Sequence, residues 1–354
     1  ASDDITVRNL AGEVLIQIGE PSIPALAPAI DDPDHDVRKF AIDVLAQLPA
    51  QGLTEQIAAH LHDEDDNVVL AAVDALGDLG ASQHRDDLRA LYHREPLARP
   101  SIVAALGVFE QAADLDLLEQ ALVDEDPVVQ YTAAEALARQ DAPEVLDLLL
   151  RKVDEVHPMA RPVMLSSIVN CCEAHSDGAH SFPASIKGYL QEMLEDSDLA
   201  YRCAAVRGLK QFLDSETIGS LLACAGQNDT LDVEIFKVLA LCTDVFRQIE
   251  RAVDAGNVSA GSATGFVLGF VAQQVIAEEE YEDVRRFLEV HFDTLDAETK
   301  IAAIGLSQNL QHPILFDIIR VGQADPDMEV SAFAADAAYA IGLGAGPEAS
   351  EFTF

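Results

Sequence analysis

Asp32, Asp34 and Asp36 alternate in the stretch DDPDHDVRKFAIDVLAQL at 31–48, and a near-copy, DEDDNVVLAAVDALGDLG, follows at 63–80. Alternating carboxylates are what a calcium loop uses, together with a glycine at its sixth position and a bidentate glutamate at its twelfth. Counted from Asp32, the sixth residue is Val37 and the twelfth is Asp43; counted from Asp63, the sixth is Val68. The turn-making glycine is missing from both. The same residues suit a helix start instead: Asp and Asn accept hydrogen bonds from the first free amides, and their charge faces the positive end of the helix dipole. A second candidate is Cys172 with His175, spaced like zinc ligands, with His180 nearby in the segment CCEAHSDGAHSFPAS at 171–185. No metal or other cofactor is expected, and these three residues are the nearest approach to a metal site. There is no Gly-rich phosphate loop, G-x-S-x-G elbow or H-E-x-x-H pair.

The elements that carry these residues follow from a repeat. Taking the first buried residue after each acidic run as position zero, zero falls at Val7, Val37, Val68, Ala98, Val129, Ala160, Tyr201, Val233, Ser262, Glu298 and Val330. Seven residues on, the side chain is almost always small, as at Ala75, Ala105, Ala136, Ser167 and Gly208, with Val14 and Val44 the departures. Eight on, it is usually large and apolar, as at Leu45, Leu76, Leu106, Leu137 and Ile168, and only Ala338 breaks the column. Positions 0, 4, 7, 8 and 11 share one face of an α-helix. The small seventh residue lets two helices approach, and the eighth fills the space beside them. Shorter segments of helical period, such as LTEQIAAHL at 53–61 and PEVLDLLL at 143–150, precede these helices. Each unit is therefore helix, turn, helix, and such units bury their apolar faces only by stacking. Cys171, eleven after Ala160, falls in the column of Leu48 and Leu79 and reads as a core thiol.

This pattern resembles the HEAT-repeat family, in its short bacterial and archaeal form with repeats of the phycobilin-lyase type. The residues that carry the resemblance are Asp32-Pro33 with Val37-Arg38, Ala41 and Leu45; Asp126-Pro127 with Val129, Ala133 and Leu137; and Asp325-Pro326 with Val330 and Ala334. The resemblance implies an all-α, right-handed α-α superhelix of about eleven helix pairs, the first of them partial. One solenoid is expected over 1–354, with regular repeats at 1–172, an insertion at 173–185, divergent repeats at 186–342 and a tail at 343–354.

The composition limits the partner. Sixty-two acids face twenty-two bases, a net charge of −40. Binding to nucleic acid needs neutralising Lys and Arg, so it is not expected, and neither is a membrane, because no apolar run has spanning length. Five cysteines, scattered and odd in number, fit a reducing compartment, with the cytoplasm as the expectation. The acids are spread along the whole chain, as in adaptation to high salt; a basic partner is the other reading.

In HEAT families the second helix of each unit lines the concave surface. On that resemblance the sixth position after zero faces a partner, and it reads Glu13, Asp43, Asp74, Glu135 and Asp336 in the acidic units. Leu239, Leu268 and Ile304 make a consecutive apolar run in the same column, with Phe236 beside it. The expected function is a non-enzymatic protein-interaction scaffold, in signalling or complex assembly, whose partner is basic or presents an amphipathic helix. The alternative is a HEAT-based enzyme of the phycobilin-lyase-like type. The absence of any His-Glu dipeptide argues against a deoxyhypusine-hydroxylase-like di-iron site, and the absence of Trp with the negative charge argues against a DNA-glycosylase-like one.

Overall fold

The computed structural model describes residues 5–109, 114–140, 143–174, 182–242 and 244–343. Among them there is no β-strand. A single helix, α1 (Ile5–Ile18), is followed by ten helix pairs. The backbone divides into two compact units, 1–186 and 187–354, with the division inside α12, next to the insertion.

The first unit holds α1 and five pairs: α2 (Ile23–Leu26) with α3 (His35–Ala46), α4 (Thr54–Ala59) with α5 (Asp66–Asp78), α6 (Arg85–Tyr92) with α7 (Arg99–Phe109), α8 (Leu115–Ala121) with α9 (Pro127–Ala138), and α10 (Pro143–Lys152) with α11 (Arg161–Ala174). The second holds α12 (Ala184–Met193) with α13 (Leu199–Leu209), α14 (Ser215–Ala223) with α15 (Asp229–Leu239), α16 (Val245–Asp254) with α17 (Ala260–Ala272), α18 (Tyr281–His291) with α19 (Ala297–Leu310), and α20 (Phe316–Gln323) with α21 (Met328–Ala340). Among the described residues no helix is long and apolar enough to cross a membrane.

Alternating aspartates build the turn inside half of the pairs. Asp32 accepts from the amide of Asp34 at 2.9 Å, and Asp34 then caps α3 by accepting from the amide of Asp36 at 2.9 Å. The step recurs at Asp63 and Asp65, at Asp124 and Asp126, at Asp196 and Asp198, and at Asp325 and Asp327. Each second aspartate satisfies an amide that the helix itself leaves free. The carboxylates are used within their own loops, so the calcium-like spacing is a capping device.

In three of these runs the first aspartate does more. Arg38, the residue after position zero in α3, donates to Asp63 at 2.6 and 2.9 Å, and both side chains are under a tenth exposed. Arg99 meets Asp124 at 3.0 Å and Lys300 meets Asp325 at 2.8 Å, each across the same separation of 25 residues. A cation on one second helix thus holds the turn of the following pair. These rungs fix the register between neighbours, while apolar packing supplies the area.

That packing follows the columns. Leu45, Leu76, Leu106, Leu137, Ile168 and Leu209 are wholly buried. Consecutive second helices α3, α5, α7, α9 and α11 lie against one another, as do α13 with α15 and the series α17, α19, α21. The approach is close where glycine permits it: a Cβ on Gly107 of α7 would stand 2.5 Å from the Cβ of Ala136 on α9.

Candidate functional site

The joint between α15 and α17 departs from this pattern. The backbones of these two second helices pack less closely than those of the other consecutive second helices within either unit. Phe236 of α15 stands between them, stacked on Phe270 of α17 at 4.4 Å and on Phe266 at 6.4 Å. Phe270 is wholly buried and anchors the stack from below. The rings hold the helices apart and leave a cavity of about 670 Å³ open to the surface.

The floor of the cavity is made by missing side chains. Gly265 and Gly269 lie one turn apart on α17. The Phe236 ring lies over Gly269, where a Cβ would come within 3.0 Å of it, whereas at Gly265 a Cβ would meet nothing within 4 Å. Val233 and Phe266 complete the apolar wall, and Val233 is 51% exposed because it faces this space instead of the core. At the mouth, Asp232 accepts from the amide of Gly226 at 3.0 Å, and the Lys237 ammonium is paired with Glu234 at 2.8 Å. The opening therefore carries a net negative charge. A concave apolar space with a few polar groups at its rim suits the insertion of an apolar side chain.

Of the residues read from sequence as an apolar run, Phe236 alone reaches this cavity. Leu239 and Ile304 have no exposure and Leu268 has 8%, so these three are core residues and cannot offer a binding face. The cause is a register error. The N-caps Asn228 and Asp296 stand three residues before position zero, as Asp34, Asp65 and Asp126 do, which places zero at Leu231 and Thr299 instead of Val233 and Glu298. Leu239 then falls in the eighth, buried column with Leu45, and Ile304 falls in the fifth, with Ile42 and Val73. In α17, burial of Ala263, Val267, Phe270 and Val271 moves zero by one, to Ala263. The spacing of the caps is the signal that phases α15 and α19; in α17 the cap Ser259 stands three residues before Ser262, and burial alone shows the shift.

The acidic column is placed differently. Glu13 on α1, Asp74 on α5 and Asp336 on α21 are exposed; Asp43 and Glu135 are half-buried. Asp43 pairs with Lys39 at 2.7 Å, one turn back on α3. Asp74 lies on the neighbouring helix, and its carboxyl is pushed up from the ordinary value, first by the protein around it and further by Asp78 and Asp43, against a hydrogen bond with Ser101 and the charge of Lys39. Asp43 and Asp74 thus form one acidic patch across α3 and α5. Asp336 belongs to the second unit.

Cys172 is half-buried on α11, while His175 and His180 lie outside the described residues. Most of the insertion at 173–185 lies outside them too. No group of three or more metal-ligating side chains occurs among the described residues.

The class is clear from the stacked pairs, the capped second helices and the rungs between them: an all-α protein of helix-pair repeats. Residues 1–69, 23–107 and 90–163 each match the family model for HEAT repeats, and this part of the chain belongs to the HEAT-repeat family. No curated protein matches the sequence significantly. Among solved structures, the chain is similar to an engineered protein at 18% identity, covering 98% of this chain and 97% of that one with a TM-score of 0.47. It is also similar to a chain of a homology model of the full-length AP-3 complex, at 11% identity, covering 97% and 86% with a TM-score of 0.46. A chain from a structure concerned with the interaction between cadherin and beta-catenin matches at 13% identity, covering 97% and 99% with a TM-score of 0.41.

Proposed function

We propose that this chain is a protein-interaction scaffold, and that its second unit grips a partner segment in the cavity between α15 and α17. The observation that carries the reading is that cavity: an open apolar space of about 670 Å³, walled by Val233, Phe236 and Phe266 on a glycine floor. The partner presents an aromatic or branched aliphatic side chain as its anchor, with a basic residue beside it. The anchor's burial supplies affinity, and the basic flank meets the negative mouth at Asp232. The acidic patch of Asp43 and Asp74 and the charge of −40 speed encounter with such a partner more than they strengthen the complex.

Gly265→Leu provides the test. The new side chain enters open space and fills the cavity, and replacing a helical glycine raises helix stability by roughly 0.5–1 kcal/mol. Peptides selected on the wild-type protein from a random display library should share an apolar anchor next to Lys or Arg. They should lose binding to Gly265→Leu while that variant melts no lower than wild type. Selection of no peptides, or of peptides that bind both proteins equally, would refute the reading.

A further inference from the structure

The loop that gives Ala225 and Gly226 to the apolar cavity gives Cys224 and Gln227 to a second cavity, which is polar and has a volume of about 540 Å³. It lies where α12, α13, α14 and the turn after α16 meet. Its central group is Arg202. This arginine occupies the position of Arg38, Arg99 and Lys300, one residue after zero on its helix. Those three cations each meet an aspartate 25 residues on; Arg202 meets a neutral amide, donating to Gln227 Oε1 at 2.5 Å. Its Nε donates to the carbonyl of Leu194 at 2.9 Å. Among the described residues no carboxylate forms an ion pair with it. The rung has kept its cation and lost its anion, and the cation lines a cavity of ligand size.

The other charges of this cavity define what fits. Glu216 is taken by Lys187 at 2.8 Å. Glu195 is exposed and has no ion-pair partner among the described residues. Arg202 and Glu195 both act electrostatically on the Cys224 thiol, which lies near each of them, yet they stand too far apart to pair. Burial pushes that thiol up, against the charge of Arg202 and a hydrogen bond with it. Gln191, Asn257 and Ser220 also line the cavity. Asn257 is held firmly: it follows the left-handed Gly256, and Gly219 admits it so closely that a Cβ there would lie 2.8 Å from its own Cβ.

We infer that this cavity binds a small zwitterion of the free α-amino acid class, its carboxylate on Arg202 and its ammonium on Glu195. A simple anion meets the repulsion of a protein carrying −40 charges, whereas a zwitterion has no net charge and enters without that opposition. The carboxylate takes the place of the aspartate that other rungs possess, and the amide groups hold the remaining polar atoms. This site is independent of the peptide-binding reading of the neighbouring cavity.

The test is calorimetric titration and thermal melting of the full chain with each of the twenty free L-amino acids, with acetate and methylamine as single-charge controls. At least one amino acid should bind saturably and raise Tm, while acetate and methylamine at equal concentration do neither. Glu195→Gln, a surface change that leaves the fold intact, should weaken binding at least tenfold, and Arg202→Gln should abolish it. The inference fails if no amino acid binds, if acetate binds as well as the amino acid does, or if Glu195→Gln leaves affinity unchanged.

Discussion

Arg38 and Asp63 show how much one residue pair can carry in this molecule. Burial alone would raise the Asp63 carboxyl, but the Arg38 guanidinium, the Asp65 amide and His60 outweigh it and hold it well below the usual carboxylate range. The pair lies close to the surface although little of it is exposed, so its loss belongs at the lower end for a broken buried ion pair. Arg38→Ala should cost about 3 kcal/mol, because it strands the aspartate. Circular dichroism during urea unfolding measures this, since the chain has no Trp to report by fluorescence. The double variant Arg38→Met with Asp63→Leu should recover much of the loss, since apolar residues of similar size replace buried pairs at little cost. A depressed folded-state pKa means that the pair's stability is complete above the unfolded value near 4 and drains away as pH falls below it. The acid limb of the wild-type stability curve should therefore be steeper than that of the double variant. At this scale the sequence is readable: an Asp three residues before position zero marks a cap. The ion pairing of the first aspartate with a cation 25 residues earlier is not, because it links two repeats and no local pattern reveals it.

Among the elements, two glycines of second helices make opposite predictions from one substitution. Gly107→Ala drives a methyl group into Ala136 at 2.5 Å and should separate α7 from α9, at a cost of about 1–3 kcal/mol. Gly265→Ala meets open space and should stabilise α17 by about 0.5–1 kcal/mol. Thermal melting of the two variants beside wild type decides both. Helix pairs, their order and the buried leucine column were legible from periodicity because α3, α5 and α9 combine a clear cap with a repeated small-large spacing. Periodicity alone misplaces the phase in α15, α17 and α19. In α17 nearly every side chain is small or apolar, so period alone cannot say which face is inward. In α19 the buried set is Lys300, Ala303, Ile304 and Ser307, two of them polar, and Lys300 is inside only because Asp325 receives it. The cavity at Phe236 was half-legible. The aromatic stands out in the sequence, but the glycines beneath it gain meaning only when α15 and α17 lie side by side.

For the molecule as a whole, charge dominates. Forty uncompensated negative charges repel one another at low ionic strength. Raising salt from 0.1 M to 1 M shortens the screening length from about 10 Å to about 3 Å. Melting temperature should therefore rise with added KCl. A rise that continues steeply over the molar range supports adaptation to a salty interior; a response that is flat there leaves the acids to a basic partner.

The rung at Arg202 has a mechanical consequence. A stack of repeats behaves as a spring whose stiffness is set joint by joint. Where Arg38, Arg99 and Lys300 are clamped by carboxylates, the joints are closed from within. The joint from α13 to the α14–α15 turn is held by a neutral amide, a looser clamp than those three. A bound carboxylate would tighten it, so the elasticity of the second unit is adjustable by whatever small molecule the surroundings supply.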